Sequence, residues 1–249
     1  MKNKKWLITL IAVLAVVVPH SFGGIIYQED FETLGAGDAL PYGGAGNNAG
    51  WKWAVEGRNN AGDWVWGHYP DEAANGNIYE VETGQAGPDQ GSFTLRSYAD
   101  YNADHDSADQ IYTYLRHEYT VSAADAALGT ITFDFDYKNI GLVAASNSAA
   151  FVTIQVVDSI SGSFAMLVSD EHEIVEANTN WGSGQISIDV AAHEGQLLQF
   201  GTRTHTTQWG PSGIALDNVD VQSIPEPATM GLVDLAGGAI MVLRRLFGV

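Results

Sequence analysis

Through its middle, the chain alternates apolar and polar positions with a period of two. The plainest case is 130–138, where Ile131, Phe133, Phe135 and Tyr137 fall on one side and Thr132, Asp134 and Asp136 on the other. An extended strand points successive side chains to opposite faces, so this run predicts a strand with one buried and one wet face. Weaker runs of the same kind lie at 25–31, 92–97, 111–121, 150–157, 163–168, 185–190, 197–203 and 214–221. Clusters of Gly, Asn, Asp and Ser separate them, and no long stretch repeats with helical period. The pattern predicts an all-β fold, a two-sheet antiparallel β-sandwich of jelly-roll type, spanning 24–222 as one domain. The Ala-rich stretch 123–127 predicts one helical turn at most.

Segment 35–91 breaks the pattern. It is rich in Gly, Asn and Trp, with strand candidates only around Trp64 and at 78–82. It predicts a set of long loops, and loops held on a rigid sandwich are where binding residues concentrate.

The two ends differ from this middle. Residues 1–23 run from basic Lys2, Lys4 and Lys5 through an apolar stretch, 6–18, to small residues at Ser21 and Gly23. This is the layout of a secretory signal peptide, cut after Gly23. At the other end, Pro225-Glu226-Pro227 precedes an apolar run, 228–243, closed by Arg244-Arg245. Prolines on either side of Glu226 disfavour helix, the apolar run predicts a transmembrane helix, and the arginines hold its end at the cytoplasmic face. This order closely resembles the PEP-CTERM sorting signal, over about the last 25 residues of the chain. The resemblance implies recognition and cleavage by an exosortase, a membrane protease of bacteria that make exopolysaccharide. Asp234 lies inside the apolar run, and a mid-span carboxylate costs about 2.5–3.5 kcal/mol on insertion scales. That favours transient inner-membrane anchoring before release to the cell surface or extracellular matrix.

Charge narrows the partners. Between Gly24 and Ile224 there are six Lys plus Arg against 28 Asp plus Glu, a net charge of −22. Such a surface repels phosphate backbones and anionic lipid, which argues against nucleic acid and leaves divalent cations and neutral glycans open. Cysteine is absent, so thiol chemistry, disulfides and thiolate metal sites are excluded.

Three sets of side chains carry candidate chemistry. The stretches "YQEDFET" and "GIALDNVDV" resemble the first and last strands of jelly-roll carbohydrate-binding modules, whose acidic members often hold a structural calcium ion. The resemblance places Glu32 and Asp217 as calcium (Ca2+) ligands, with backbone carbonyls completing a shell of six to eight oxygens. In "DYNADHDSADQI", Asp100, Asn102 and Asp104 have the one-three-five spacing of a calcium loop. His105 and Ile111 stand where its glycine and glutamate belong, so a solvated acidic loop is the stronger reading.

The third set is aromatic. Trp51 with Trp53, and Trp64 with Trp66, have i, i+2 spacing, which in extended chain puts both rings of a pair on one face. Exposed rings of this kind suit the C–H faces of sugars, while buried ones fill a core, and both readings stand. Trp209, before Pro211, is a further glycan candidate, and Trp181 is assigned to packing.

Catalytic signatures are weak. Asp134 with Asp136, and Glu171 with Glu173, share strand faces, but "EHEIVE" interposes His172 and Ile174 and matches no acidic hydrolase strand. The histidines show no metal spacing, and no serine sits in a nucleophile elbow. The expectation is a non-catalytic surface or matrix protein that binds glycan. A purely structural matrix role and a polysaccharide hydrolase or lyase are the alternatives.

Overall fold

The structure, a computed structural model of the chain, describes residues 23–38, 40, 50–68, 79–85, 87–98, 110–142, 148–207 and 213–225. In chain order, the described residues form β1 (Gly24–Glu29), β2 (Gly50–Arg58), β3 (Trp64–His68), β4 (Tyr79–Thr83), β5 (Phe93–Tyr98) and β6 (Gln110–Thr120). A short helix, α1 (Ala123–Leu128), follows, then β7 (Gly129–Asn139), β8 (Ala149–Val157), β9 (Met166–Ile174), β10 (Gly182–Asp189), β11 (Leu197–Thr206) and β12 (Gly213–Pro225). They pair into two six-stranded antiparallel sheets, one ordered β10-β7-β12-β5-β4 with β1 also on β12, the other β3-β2-β6-β11-β8-β9.

The period-two run behaves as its pattern requires. Ile131, Phe133 and Phe135 of β7 are buried, and the Phe133 ring lies 5.5 Å from Phe200 of β11, joining the two sheets. Around this contact Phe31, Trp51, Leu95, Ile154 and Val221 complete one core. At one end the core turns polar. Ser97 of β5 hydrogen-bonds Thr202 of β11 at 2.7 Å, and Thr113 bonds Thr204, so buried hydroxyls satisfy one another between the layers.

Three elements depart from the sequence expectation. Residues 50–58, expected as loop, form β2, because Trp51 and Val55 alternate with Lys52 and Glu56 inside the Gly-rich stretch. The expected strand 163–168 starts later, at Met166. Asp158 claims the preceding residues for a turn, accepting from Ser161 N at 3.0 Å and Ser163 Oγ at 3.2 Å, while Phe164 takes a φ of 51°. The last strand runs past the expected boundary at 222, since Pro225 is still paired with Gly129.

The first and last strands pair, with Gly24 opposite Ser223. Among the described residues no helix is long and apolar enough to cross a membrane. Residues 1–22, Glu226, Pro227, the run 228–243 with Asp234, and Arg244 and Arg245 lie outside the described residues, as do Asp100, Asn102, Asp104 and Trp209.

Candidate functional site

Glu32 and Asp217 come together where β12 changes partner. Its first part pairs with β5 as far as Leu216, its later part pairs with β1 from Val219, and a bulge between Asp217 and Asp220 absorbs the change. Asn218 at the bulge adopts a φ of 48°, which Asn tolerates better than most residues. The gap is closed by Glu32, whose Oε1 accepts from Ser92 N at 2.6 Å and Phe93 N at 2.7 Å. Gly91 is required there: at a φ of 57°, its Cβ would fall 2.3 Å from Glu32 Oε1.

Asp217 is only 1% exposed. Its Oδ1 accepts from Asn218 N at 2.7 Å, and its Oδ2 is buried with no hydrogen-bond partner. Burial, together with the charges of Asp136, Glu32 and Asp30, lifts its carboxyl to about 7. Gln90 Oε1 is a second buried oxygen without a partner, while its Nε2 donates to Asp136 at 2.8 Å. None of the four ion pairs among the described residues reaches this cluster. Unneutralised carboxylates and unsatisfied buried oxygens fit a hard cation that takes oxygen ligands. Among the described residues no three carboxylate or imidazole side chains converge as a ready-made metal shell, so any ion here draws on amide and backbone oxygens as well.

The tryptophans do not form a shelf. Trp51 is 2% exposed, its Nε1 donating to Tyr27 Oη at 2.8 Å and its ring set edge-on to Phe200, so it is a core residue and not a glycan contact. Trp53 and Trp66 pack partly against the same core. The β2–β3 register slips between Gly57 and Arg58, so that Trp66 stands opposite Gly57 while Trp64 stands opposite Arg58. One bulge thus sends two rings at i, i+2 to opposite faces, and Trp64 alone of the four is exposed, at 59%.

A larger assembly covers the outer face of the second sheet. Cross-strand register lines up Gly50, Glu118, Gln199, Gln155 and Ser169 in one row, and Lys52, Arg116, Gly201, Thr153 and Glu171 in the next. A third row holds Ala54, Tyr114, Arg203, Phe151 and Glu173, and a fourth Glu56, Tyr112 and His205. Gly201 and Thr153 keep the second row low, and a Cβ on Gly201 would collide with the Leu115 carbonyl at 2.1 Å. The result is an open concavity of about 440 Å³ lined by Arg58, Tyr114, Arg116, Thr153, Gln155 and Arg203 together with Met166, Ser169, Asp170 and Glu171.

Planar groups tile this face. Tyr112 stacks on His205 at 5.1 Å, Arg58 lies 4.9 Å over Tyr112, Arg116 4.2 Å over Tyr114, and Arg203 4.3 Å over Phe151. Hydrogen bonds fix them edge to edge. Tyr114 donates to Glu56 at 3.2 Å, Gln199 to Glu118 at 2.7 Å, and Gln155 and Arg116 to Gln199 at 2.8 and 3.2 Å. Lys52 pairs with Glu118 at 2.5 Å and Arg203 with Glu171 at 2.7 Å. Rigid rings beside fixed amide and guanidinium donors present stacking surfaces and hydrogen-bond partners to a polar ligand at little ordering cost. Sequence reasoning missed this face. The signal was there as polar–aromatic alternation in Tyr112, Tyr114 and Arg116, but only the register unites it with β2, β8 and β11.

Three of the four acids considered for catalysis are held by neighbours. Asp134 accepts from Gln185 at 2.6 Å, Asp136 from Gln90, Asn218 and Ser183, and Glu171 from Arg203.

No family model and no curated protein matches the chain. Among solved structures it is similar to a family 22 carbohydrate-binding module of Clostridium thermocellum, at 13% identity over 84% of this chain and 96% of that one, with a TM-score of 0.41. It is also similar to a CBM22 xylan-binding domain from Paenibacillus barcinonensis, at 13% identity, 83% and 99% coverage and a TM-score of 0.40. The enzymatically active domain of tailspike protein 4 from bacteriophage CBA120 gives 13% identity over 75% of this chain and a TM-score of 0.41, the likeness spanning only 21% of that chain. What the candidate site can bind follows from its own side chains.

Proposed function

We propose that the protein is an exported, non-catalytic glycan-binding β-sandwich of the cell surface or exopolysaccharide matrix. One observation carries this reading: the outer face of β2, β6, β11, β8 and β9 holds stacked aromatic and planar polar groups around an open concavity. Extracellular polysaccharide is its partner, laid along the rows of side chains. Calcium bound at Glu32 and Asp217, with Gln90 as a third oxygen donor, stabilises the sandwich where β12 leaves β5 for β1. An exosortase-type membrane protease recognises the tail from Pro225 and releases the domain after transient inner-membrane anchoring. A glycan array tests the binding: polysaccharide hits on the intact domain that disappear in Gln155→Ala support the reading, and hits that survive it unchanged contradict it.

A second reading, a structural matrix component, has an observation of its own. Ile160, Phe164, Met166 and Leu167 leave apolar surface exposed at the β8–β9 edge, which suits association between copies. Concentration-dependent self-association without any array hit would favour it.

A further inference from the structure

Three of the four described arginines, Arg58, Arg116 and Arg203, line the concavity of a domain that carries 28 acidic residues against six basic ones between Gly24 and Ile224. The acids Glu56, Glu118, Asp170 and Glu171 share the same face, so it is the pairing of each cation that decides what is left over. Two of the three are already matched: Arg58 pairs with Glu56 at 3.0 Å and Arg203 with Glu171 at 2.7 Å. Arg116 is not. Among the described residues it is the one arginine without an ion pair, and its Nε is buried with no hydrogen-bond partner. Glu118, in the neighbouring row, is taken by Lys52 at 2.5 Å and Gln199 at 2.7 Å. Arg116 instead lies on the Tyr114 ring and spends one N–H on Gln199.

A guanidinium over an aromatic ring, half-buried and in no ion pair of its own, is set to receive a planar anion through its fork of donors. Resting on the glycan-binding reading above, we propose that the ligand is an anionic polysaccharide whose repeating unit carries a carboxylate, and that Arg116 binds that carboxylate. Arg58 and Arg203 flank it, and Gln155 contacts the sugar hydroxyls. Specificity then comes from charge: a neutral chain of the same shape leaves Arg116 without an ion pair.

Affinity electrophoresis tests this on the intact domain, with polygalacturonate, alginate and hyaluronan each run beside its carboxyl-reduced form and a set of neutral polysaccharides. The expected result is retardation by at least one carboxylated polymer, at least tenfold weaker for its reduced form and weakening as salt is raised. Arg116→Gln, checked for an unchanged melting temperature, loses at least tenfold in affinity, and Arg116→Lys retains part of it. Equal retardation by acidic and reduced polymers overturns the carboxylate assignment while leaving glycan binding in place. Retardation by no polymer overturns both. Because the acidic-versus-reduced comparison uses the wild-type chain, it decides the matter even if Arg116→Gln fails to fold.

Discussion

Asp217 and Asp136 stand directly opposite each other on β12 and β7, yet only one of them is satisfied. Asp136 accepts from Gln90 and Asn218, each at 2.8 Å, and from Ser183 at 2.6 Å. Asp217 accepts one bond, from the amide of its neighbour, and keeps one oxygen buried and unpaired. Without a cation, its ionised form is a cost to the fold. Calcium is therefore expected to raise the melting temperature and chelator to lower it. Asp217→Asn should stabilise the calcium-free domain by about 1–3 kcal/mol at pH 8 and abolish the response to calcium. A thermal shift that ignores calcium in the wild-type domain contradicts the assignment.

The pH dependence follows with a definite sign. Asp217 titrates at about 7 when folded, against 3.8 in a model peptide, so its contribution favours the fold at low pH and is lost as pH rises toward 7. His117 works the other way. Wedged between Tyr27 and Phe200, it is held down to about 4 by burial, so the unfolded chain takes up its proton first as pH falls below 6.5. The two slopes oppose each other across the same window. In Asp217→Asn the His117 slope is left exposed, and calcium-free stability should rise by about 2–3 kcal/mol from pH 4.5 to pH 7, more steeply than in wild type. Denaturant titrations at several pH values measure the difference. The calcium-induced gain in melting temperature should also shrink between pH 8 and pH 6, as a proton competes for Asp217.

The buried and exposed tryptophans should separate cleanly. Trp51→Ala removes a ring packed on Phe200 and His117 and is expected to cost about 3–5 kcal/mol. Trp64→Ala touches a ring that is 59% exposed and should shift stability by less than about 0.5 kcal/mol. Chemical denaturation of both variants checks this. Loss of glycan binding in Trp64→Ala alone would move the site to the β2–β3 end of the sheet.

What was legible in the sequence was whatever depends on one strand at a time. The run through Phe133 and Phe135 declared its buried face, and β7 lies where that alternation predicts. The meeting of Glu32 with Asp217 was legible only through resemblance, because the two are joined by the change of partner along β12. The shared face expected of Trp64 and Trp66 was misjudged for a physical reason: the slip opposite Gly57 and Arg58 inverts the side of one ring, and nothing in Trp64-Val65-Trp66 announces it. The Tyr114–Arg116–Arg203 face was invisible for another. Its members come from strands up to about ninety residues apart, and their convergence is a property of register.

The sorting reading has its own test. Pro225, the first residue of the tripeptide, is the last residue of β12 and is paired with Gly129. Changing Pro225, Glu226 and Pro227 to alanine should leave full-length protein in the inner-membrane fraction of the producing cell. Normal delivery of that variant to the surface would contradict recognition by an exosortase.

The central claim is that the outer face of the second sheet holds polysaccharide. Its most direct test is affinity electrophoresis of wild type, Gln155→Ala and Trp64→Ala against the producing organism's own exopolysaccharide, with melting temperatures recorded for all three. The account predicts retardation of wild type and of Trp64→Ala, and its loss, at unchanged stability, in Gln155→Ala, a partly exposed residue of the concavity. Equal retardation of all three, or of none, would contradict it.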